Sequence, residues 1–176
     1  MLYSDDWPAQ FADVAQRLGD ALAGVPGAVI EHVGSTSVPG LAAKPVIDID
    51  VIVPRERVAD AIVALAGSGY VHRGDLGVTD REAFVSPDDE PPRNVYVCVE
   101  GTLHVRNHLA VRDVLRRRTD LRDRYAAVKL ELSRDPEMDI ARYLAGKSAV
   151  LQDVLALSDL TAAEKAAIYR LNTGGA

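Results

Sequence analysis

The chain of 176 residues is 48% apolar and 26% charged, a balance that suits one globular domain spanning 1–176 with its own core. Its net charge of −6 argues against general affinity for DNA or RNA, because such binding rests on cations that displace counterions from phosphates. The one cysteine, Cys98, lies in an apolar run; with no basic and apolar leader and no stretch near the ~18 apolar residues of a spanning helix, a cytoplasmic protein with a buried reduced thiol and no membrane partner is expected.

Over 7–23, Phe11, Val14, Ala15, Leu18 and Leu22 follow helical spacing, Pro8 suits the first turn, and Gly24-Val25-Pro26-Gly27 ends the run. A short strand over 28–33 leads into the polar loop Gly34-Ser35-Thr36-Ser37-Val38-Pro39-Gly40. A second strand over 46–53 stops at Pro54, and its alternation sets Asp48 and Asp50 on one face against Ile47, Ile49 and Val51 on the other. The next helix, over 55–66, has Val58, Ile62 and Leu65 on one side and ends at Gly67-Ser68-Gly69. Strand-like segments over 70–73 and 82–85 precede an acidic, proline-bearing rim over 86–92, and 94–99 is a third clear strand. After Gly101 the pattern is helical, over 106–117, 120–134 and 137–157, with a capped tail from Thr161. Leu103 and Val105 read as extended chain, which keeps His104 and His108 from sharing a helix face. The order predicts an α/β (α+β) fold: a small mixed sheet with flanking helices over about 1–103, then a helical part over about 104–176.

The loop and the second strand carry the chemistry. A glycine at 34 lets backbone amides approach a phosphate, and Ser35, Thr36 and Ser37 add hydroxyl donors. Asp48 and Asp50, ~6–7 Å apart along the strand, are placed to share a divalent cation, Mg²⁺ or Mn²⁺, that also bridges substrate phosphates. The plainer alternative is an edge strand with one solvated face, since two carboxylates among Ile47, Ile49, Val51, Ile52 and Val53 are otherwise costly. Lys44 suits either a phosphate or a salt bridge to these carboxylates. His32 reads as a strand histidine satisfied by a neighbour. Residues 104–134 hold nine basic side chains against four acidic ones, a local net of +5 that leaves −11 for the remainder. That segment is either a solvated face crossed by ion pairs or, through Arg112, Arg116 and Lys129, one wall of an anion-binding cleft.

The spacing from Gly34-Ser35 to Asp48-x-Asp50 resembles the signature of the DNA polymerase beta-like nucleotidyltransferase superfamily. More narrowly, the run from Ile30-Glu31-His32-Val33-Gly34-Ser35 through Leu41-Ala42-Ala43-Lys44-Pro45-Val46-Ile47-Asp48-Ile49 resembles the hallmark of the GrpB family, whose members occur alone or fused to dephospho-CoA kinase. The resemblance continues at Trp7-Pro8, Arg112-Asp113-x-Leu115-Arg116, Tyr125-x-x-x-Lys129 and Tyr143-x-x-x-Lys147. It implies a nucleotidyltransferase fold and, through the superfamily, Mg²⁺-dependent transfer from a nucleoside triphosphate or related nucleotide to a small-molecule acceptor; the acidic charge and only nine aromatic residues argue against a nucleic acid as partner. Superfamily enzymes draw a third carboxylate from a neighbouring strand; here the strand over 94–99 offers Asn94 and Tyr96 as substrate contacts, in places where relatives often carry histidines, and only Glu100 at its end as a third metal ligand. The alternative is a non-catalytic module of the same fold that binds a nucleotide or a coenzyme-A-like ligand.

Overall fold

In the computed structural model, residues 1–132, 134 and 139–173 are described, and two compact units divide the chain, Met1–Val105 and Arg106–Ala176. In the first, amphipathic spacing produces helix α1 (Trp7–Ala21), with proline in its first turn and Leu22 as its cap. Strand β1 (Val29–Val33), a single 3₁₀ turn (Ser35–Ser37) and strand β2 (Ile47–Val53) follow. A second 3₁₀ turn, Arg55–Arg57, leads into helix α2 (Val58–Gly67), and strands β3 (Val71–His72), β4 (Arg81–Val85) and β5 (Arg93–Val99) complete the sheet.

The sheet is mixed, in the order β1-β2-β5-β4-β3, with β2 and β5 parallel and the other pairs antiparallel. β2 therefore lies inside the sheet, which overturns the edge-strand alternative. One face packs Ile47, Ile49, Val51 and Val53 with Val95 and Val97 into a core shared with Val14 and Leu18 of α1 and Ala61 and Leu65 of α2. Each of these Val, Ile and Leu side chains, fully buried, contributes ~1.5–3 kcal/mol. That sum fixes the register, because a one-residue slip of β2 would carry Asp48 and Asp50 into the apolar layer.

The second unit is helical. Helix α3 (Leu103–Arg117), which begins in the first unit, is followed by α4 (Thr119–Leu132), α5 (Ile140–Ala156) and α6 (Ala162–Thr173). α3 starts three residues before the expected 106: Gly101, with φ +72°, turns the chain at the end of β5, and Val105 is buried as a helical residue. His104 and His108 consequently share a helix face after all. The expected start at 137 falls outside the described residues, and α5 is capped by Asp139, whose carboxylate accepts from the Arg142 amide at 2.8 Å. α4 and α5 pack so closely at Gly146 that a Cβ there would stand 2.6 Å from a Leu132 methyl. The expected cap at Thr161 forms a reciprocal pair with Glu164, whose carboxylate accepts from the Thr161 amide at 2.8 Å. No described helix is long and apolar enough to cross a membrane.

Candidate functional site

The turn after β1 is shaped by Gly34. Its backbone, at φ 70° and ψ −170°, lies in a region that is essentially confined to glycine. Val33 pairs with Asp48 across β1 and β2, so the next residue passes directly against that side chain. A Cβ at position 34 would meet the Asp48 carboxylate and stand 3.0 Å from both its Cβ and Cγ. The loop is braced from behind. The Ser37 hydroxyl donates to the Gly34 carbonyl at 2.6 Å, and the Thr36 hydroxyl donates to the Val46 carbonyl at 3.3 Å. Because that hydroxyl has one proton, His32 Nε2 is the donor in its 3.0 Å bond to Thr36 Oγ1. The His32 ring stacks on Phe11 at 4.6 Å between centroids, the satisfied histidine that the sequence suggested. Thr36 and Ser37, expected as phosphate donors, are thus buried with their hydroxyl protons on backbone carbonyls; Ser35 is half-buried and Lys44 exposed.

On the sheet face away from the core, Asp48 is half-buried and Asp50 fully buried. Asn94 stands opposite Asp48 on β5 and donates from Nδ2 to Asp48 Oδ1 at 2.8 Å. Tyr96 stands opposite Asp50, and Cys98 two residues further on. Burial pushes the Cys98 thiol well up, with the Asp50 carboxylate adding to it, so this sulfur stays protonated and is no nucleophile. Burial also raises the Tyr96 hydroxyl, against the opposing pull of Arg81 and with Asp48 and Asp50 reinforcing. Two residues of this face were not singled out from the sequence. Glu31 on β1 pairs with Asp50, and Arg81 on β4 pairs with Cys98 and lays its guanidinium 4.6 Å over the Tyr96 ring. Alternation within a five-residue strand could have placed Glu31 on this face; Arg81 needed the β4 register.

Glu100 is not brought to the aspartates. It is exposed in the turn beyond β5, four residues past Tyr96, with its amide donating to the Val53 carbonyl at 2.9 Å. Arg112 and Lys129 belong to the helical unit. Arg112 is held by Asp113 at 2.8 Å, and Lys129 lies 5.6 Å over Tyr125 just as Lys147 lies 4.9 Å over Tyr143. Burial raises the Tyr125 hydroxyl, with Tyr143 contributing, and burial lowers the Lys147 amine.

The donor set fits a hard cation. Two carboxylates on one face, one of them accepting from the Asn94 side-chain amide, are the donor type that a hard divalent cation such as Mg²⁺ or Mn²⁺ takes. Among the described residues no group of three or more His, Cys, Asp or Glu is disposed to hold a metal by itself.

The mixed sheet, with two aspartates on β2 behind a Gly-Ser turn, has a nucleotidyltransferase-like fold. The same fold appears in the Cid1 poly(U) polymerase bound to MgATP, with a TM-score of 0.63 and 17% identity over 93% of this chain and 54% of that one. The chain belongs to the GrpB family, matching the GrpB protein description over residues 1–157. It is similar to the conserved protein GrpB from Enterococcus faecalis, with a TM-score of 0.73 and 30% identity over 89% of this chain and 96% of that one. A UPF0157 protein of Halalkalibacterium halodurans is 34% identical over 161 residues, 90% of this chain and 81% of the relative. The chain spans 42% of a 31% identical dephospho-CoA kinase from Mycolicibacterium paratuberculosis and 43% of the UPF0157 protein YqkA of Bacillus subtilis.

Proposed function

We propose that the sheet unit carries a Mg²⁺- or Mn²⁺-dependent site for nucleotidyl transfer from a nucleoside triphosphate to a small-molecule acceptor, in the cytoplasm. The observation that supports this reading is the packing of Gly34 against Asp48, which brings the Gly34-Ser35 turn up to one of the two carboxylates. Asp48 and Asp50 would hold the cation, and Asn94 positions Asp48 by fixing Oδ1. The bound cation would neutralise phosphate charge and polarise the reacting phosphoryl group. The Gly34 turn and Ser35 would take phosphate oxygens, with Lys44 offsetting part of the remaining charge, so that rate comes from positioning and electrostatics. Cid1, of the same fold, is a poly(U) polymerase and binds MgATP; the net charge of −6 here favours a small acceptor over RNA.

A second reading is a binding module without turnover, for a nucleotide or a coenzyme-A-like ligand. Its support is that β5 turns Asn94, Tyr96 and Cys98, and no carboxylate, toward Asp48 and Asp50.

Thermal shift with nucleoside triphosphates, with and without Mg²⁺, tests the site, because a ligand at a hundred times its Kd stabilises the folded state by ~2.7 kcal/mol. Asp48→Asn and Asp50→Asn should each abolish the Mg²⁺-dependent increment while the apoprotein keeps or gains stability, since two crowded carboxylates repel without a cation. Unchanged metal dependence in both variants would sink the site. Pyrophosphate release that depends on an added hydroxyl acceptor would separate transfer from binding.

A further inference from the structure

Arg81 stands apart from the other arginines that are at least half-buried, or ion-paired, in its unit. Arg93 is buried with Asp88 at 2.7 Å, the Pro91 carbonyl at 3.0 Å and the Tyr70 hydroxyl at 3.4 Å, and Arg55 grips Asp80 through two bonds of 2.6 and 2.8 Å. Both show how this chain satisfies a structural guanidinium. Arg81 is half-buried, its Nε is sealed from solvent, and its side chain makes neither a hydrogen bond nor an ion pair with any described residue. It is held instead by the Tyr96 ring, 4.6 Å below its guanidinium carbon.

The register explains why this matters. Arg81 pairs with Cys98, Tyr96 pairs with Asp50 and Asn94 pairs with Asp48, so all six side chains stand on one face. A cation therefore rests on the aromatic ring that stands opposite Asp50, on the sheet face that also carries Asp48, with no hydrogen bond or ion pair to either carboxylate. We infer that Arg81 is an anion-binding residue of this site, taking a phosphate-class group directly, with no metal ion between them. A guanidinium offers parallel donors that match two phosphate oxygens, and holding it over the Tyr96 ring removes much of the ordering that such a contact would otherwise require. The site would then hold a polyanion by two separate means, a cation on Asp48 and Asp50 and a permanent charge on β4. The inference rests on the proposed reading of this face as a polyphosphate site.

The test is calorimetric titration of the full chain with inorganic tripolyphosphate, once in chelator and once in Mg²⁺. Wild type should bind in chelator and bind more tightly in Mg²⁺. Arg81→Gln should lose roughly ten- to a hundredfold in chelator, the scale of a hydrogen bond to a charged group, while keeping the ratio between the two conditions. Asp48→Asn should do the reverse, keeping binding in chelator and losing the ratio. Arg81→Lys, which keeps the charge and the contact with Tyr96, should fall between wild type and Arg81→Gln, and it stands in if the glutamine variant does not fold. In wild type, the ¹⁵N resonance of Arg81 Nε should shift as tripolyphosphate is added in chelator. Wild-type strength in Arg81→Gln, no binding by wild type in chelator, or an Nε resonance that stays still at saturation would overturn the inference. An unchanged Mg²⁺ ratio in Asp48→Asn would instead remove the metal reading and leave Arg81 standing.

Discussion

At Gly34 two demands meet in one residue: a backbone at φ 70° and ψ −170°, and a neighbouring carboxylate that fills the space of a Cβ. The first demand is one of strain, ~1–3 kcal/mol for a residue other than glycine; the second displaces Asp48 from the place where Asn94 holds it. Gly34→Ala should therefore lower stability by more than that strain alone and also abolish the Mg²⁺-dependent nucleotide increment, measured by denaturant melts and thermal shift. Adding Asp48→Ala should recover the steric part and leave the backbone part. Gly24→Ala, with no atom within 4 Å of the added Cβ, serves as the neutral control. Equal stability of Gly34→Ala and Gly24→Ala would refute the account. At this scale the sequence was readable where chemistry and spacing coincide. The Gly-Ser pair and the two aspartates stood out as types, whereas the fate of Thr36 and Ser37 depended on carbonyls of Val46 and Gly34 that only the folded loop brings within reach.

Among the elements, β2 was legible because alternation has one solution when Ile47, Ile49 and Val51 must share a core. Its place inside the sheet was not, since strand order follows from long-range pairing and leaves no local trace. The same holds for β4, which aims Arg81 at Tyr96 through pairing with β5, and for α3, where the Gly101 turn outweighed the extended look of Leu103 and Val105. The start of β5 offers a test of how a strand is tied to the rim before it. Arg93, its side chain 1% exposed, binds Asp88, and the hydrogen bond from Arg93, then that from the Glu90 amide, lowers the Asp88 carboxyl to about 2. A carboxyl depressed on folding contributes stability that is complete above its unfolded value of ~3.9 and is lost as pH falls through the folded value. Asp88→Asn should thus melt below wild type by a constant margin at pH 5 to 7, and the margin should close as the pH is lowered from about 4 to about 2. A margin that persists unchanged at pH 2 would show that the contact acts through shape and not charge.

For the whole molecule, the relevant fact is that charge is segregated along the chain, +5 over residues 104–134 against −11 elsewhere. A nucleoside triphosphate is repelled by the net charge at long range, but beyond ~10 Å such forces are screened at 0.1 M salt, so nearby cations decide binding. Many of the segment's arginines are engaged within the helical unit: Arg118 with Asp120 at 2.9 and 2.7 Å, Arg122 with Asp123 at 2.9 Å, Arg124 with Asp153 at 2.6 Å, and Arg106 with Glu164. Such exposed pairs are worth little to stability, yet they commit the guanidinium. Lys129 lies over the Tyr125 ring, and Arg112, 11% exposed, is likewise paired, with Asp113 at 2.8 Å. If these two serve the nucleotide, Arg112→Ala or Lys129→Ala should weaken triphosphate binding by about tenfold, the scale of one charge-assisted contact, while Arg117→Ala and Arg118→Ala change it little. The loss should shrink as salt rises from about 0.05 to about 0.5 M, over which the Debye length falls about threefold. Isothermal titration across that range separates the outcomes: small and equal effects at all four positions would make the segment a solvated face, and a salt-independent loss at Arg112 would assign it to packing within the helices, leaving the polyanion to the sheet unit alone.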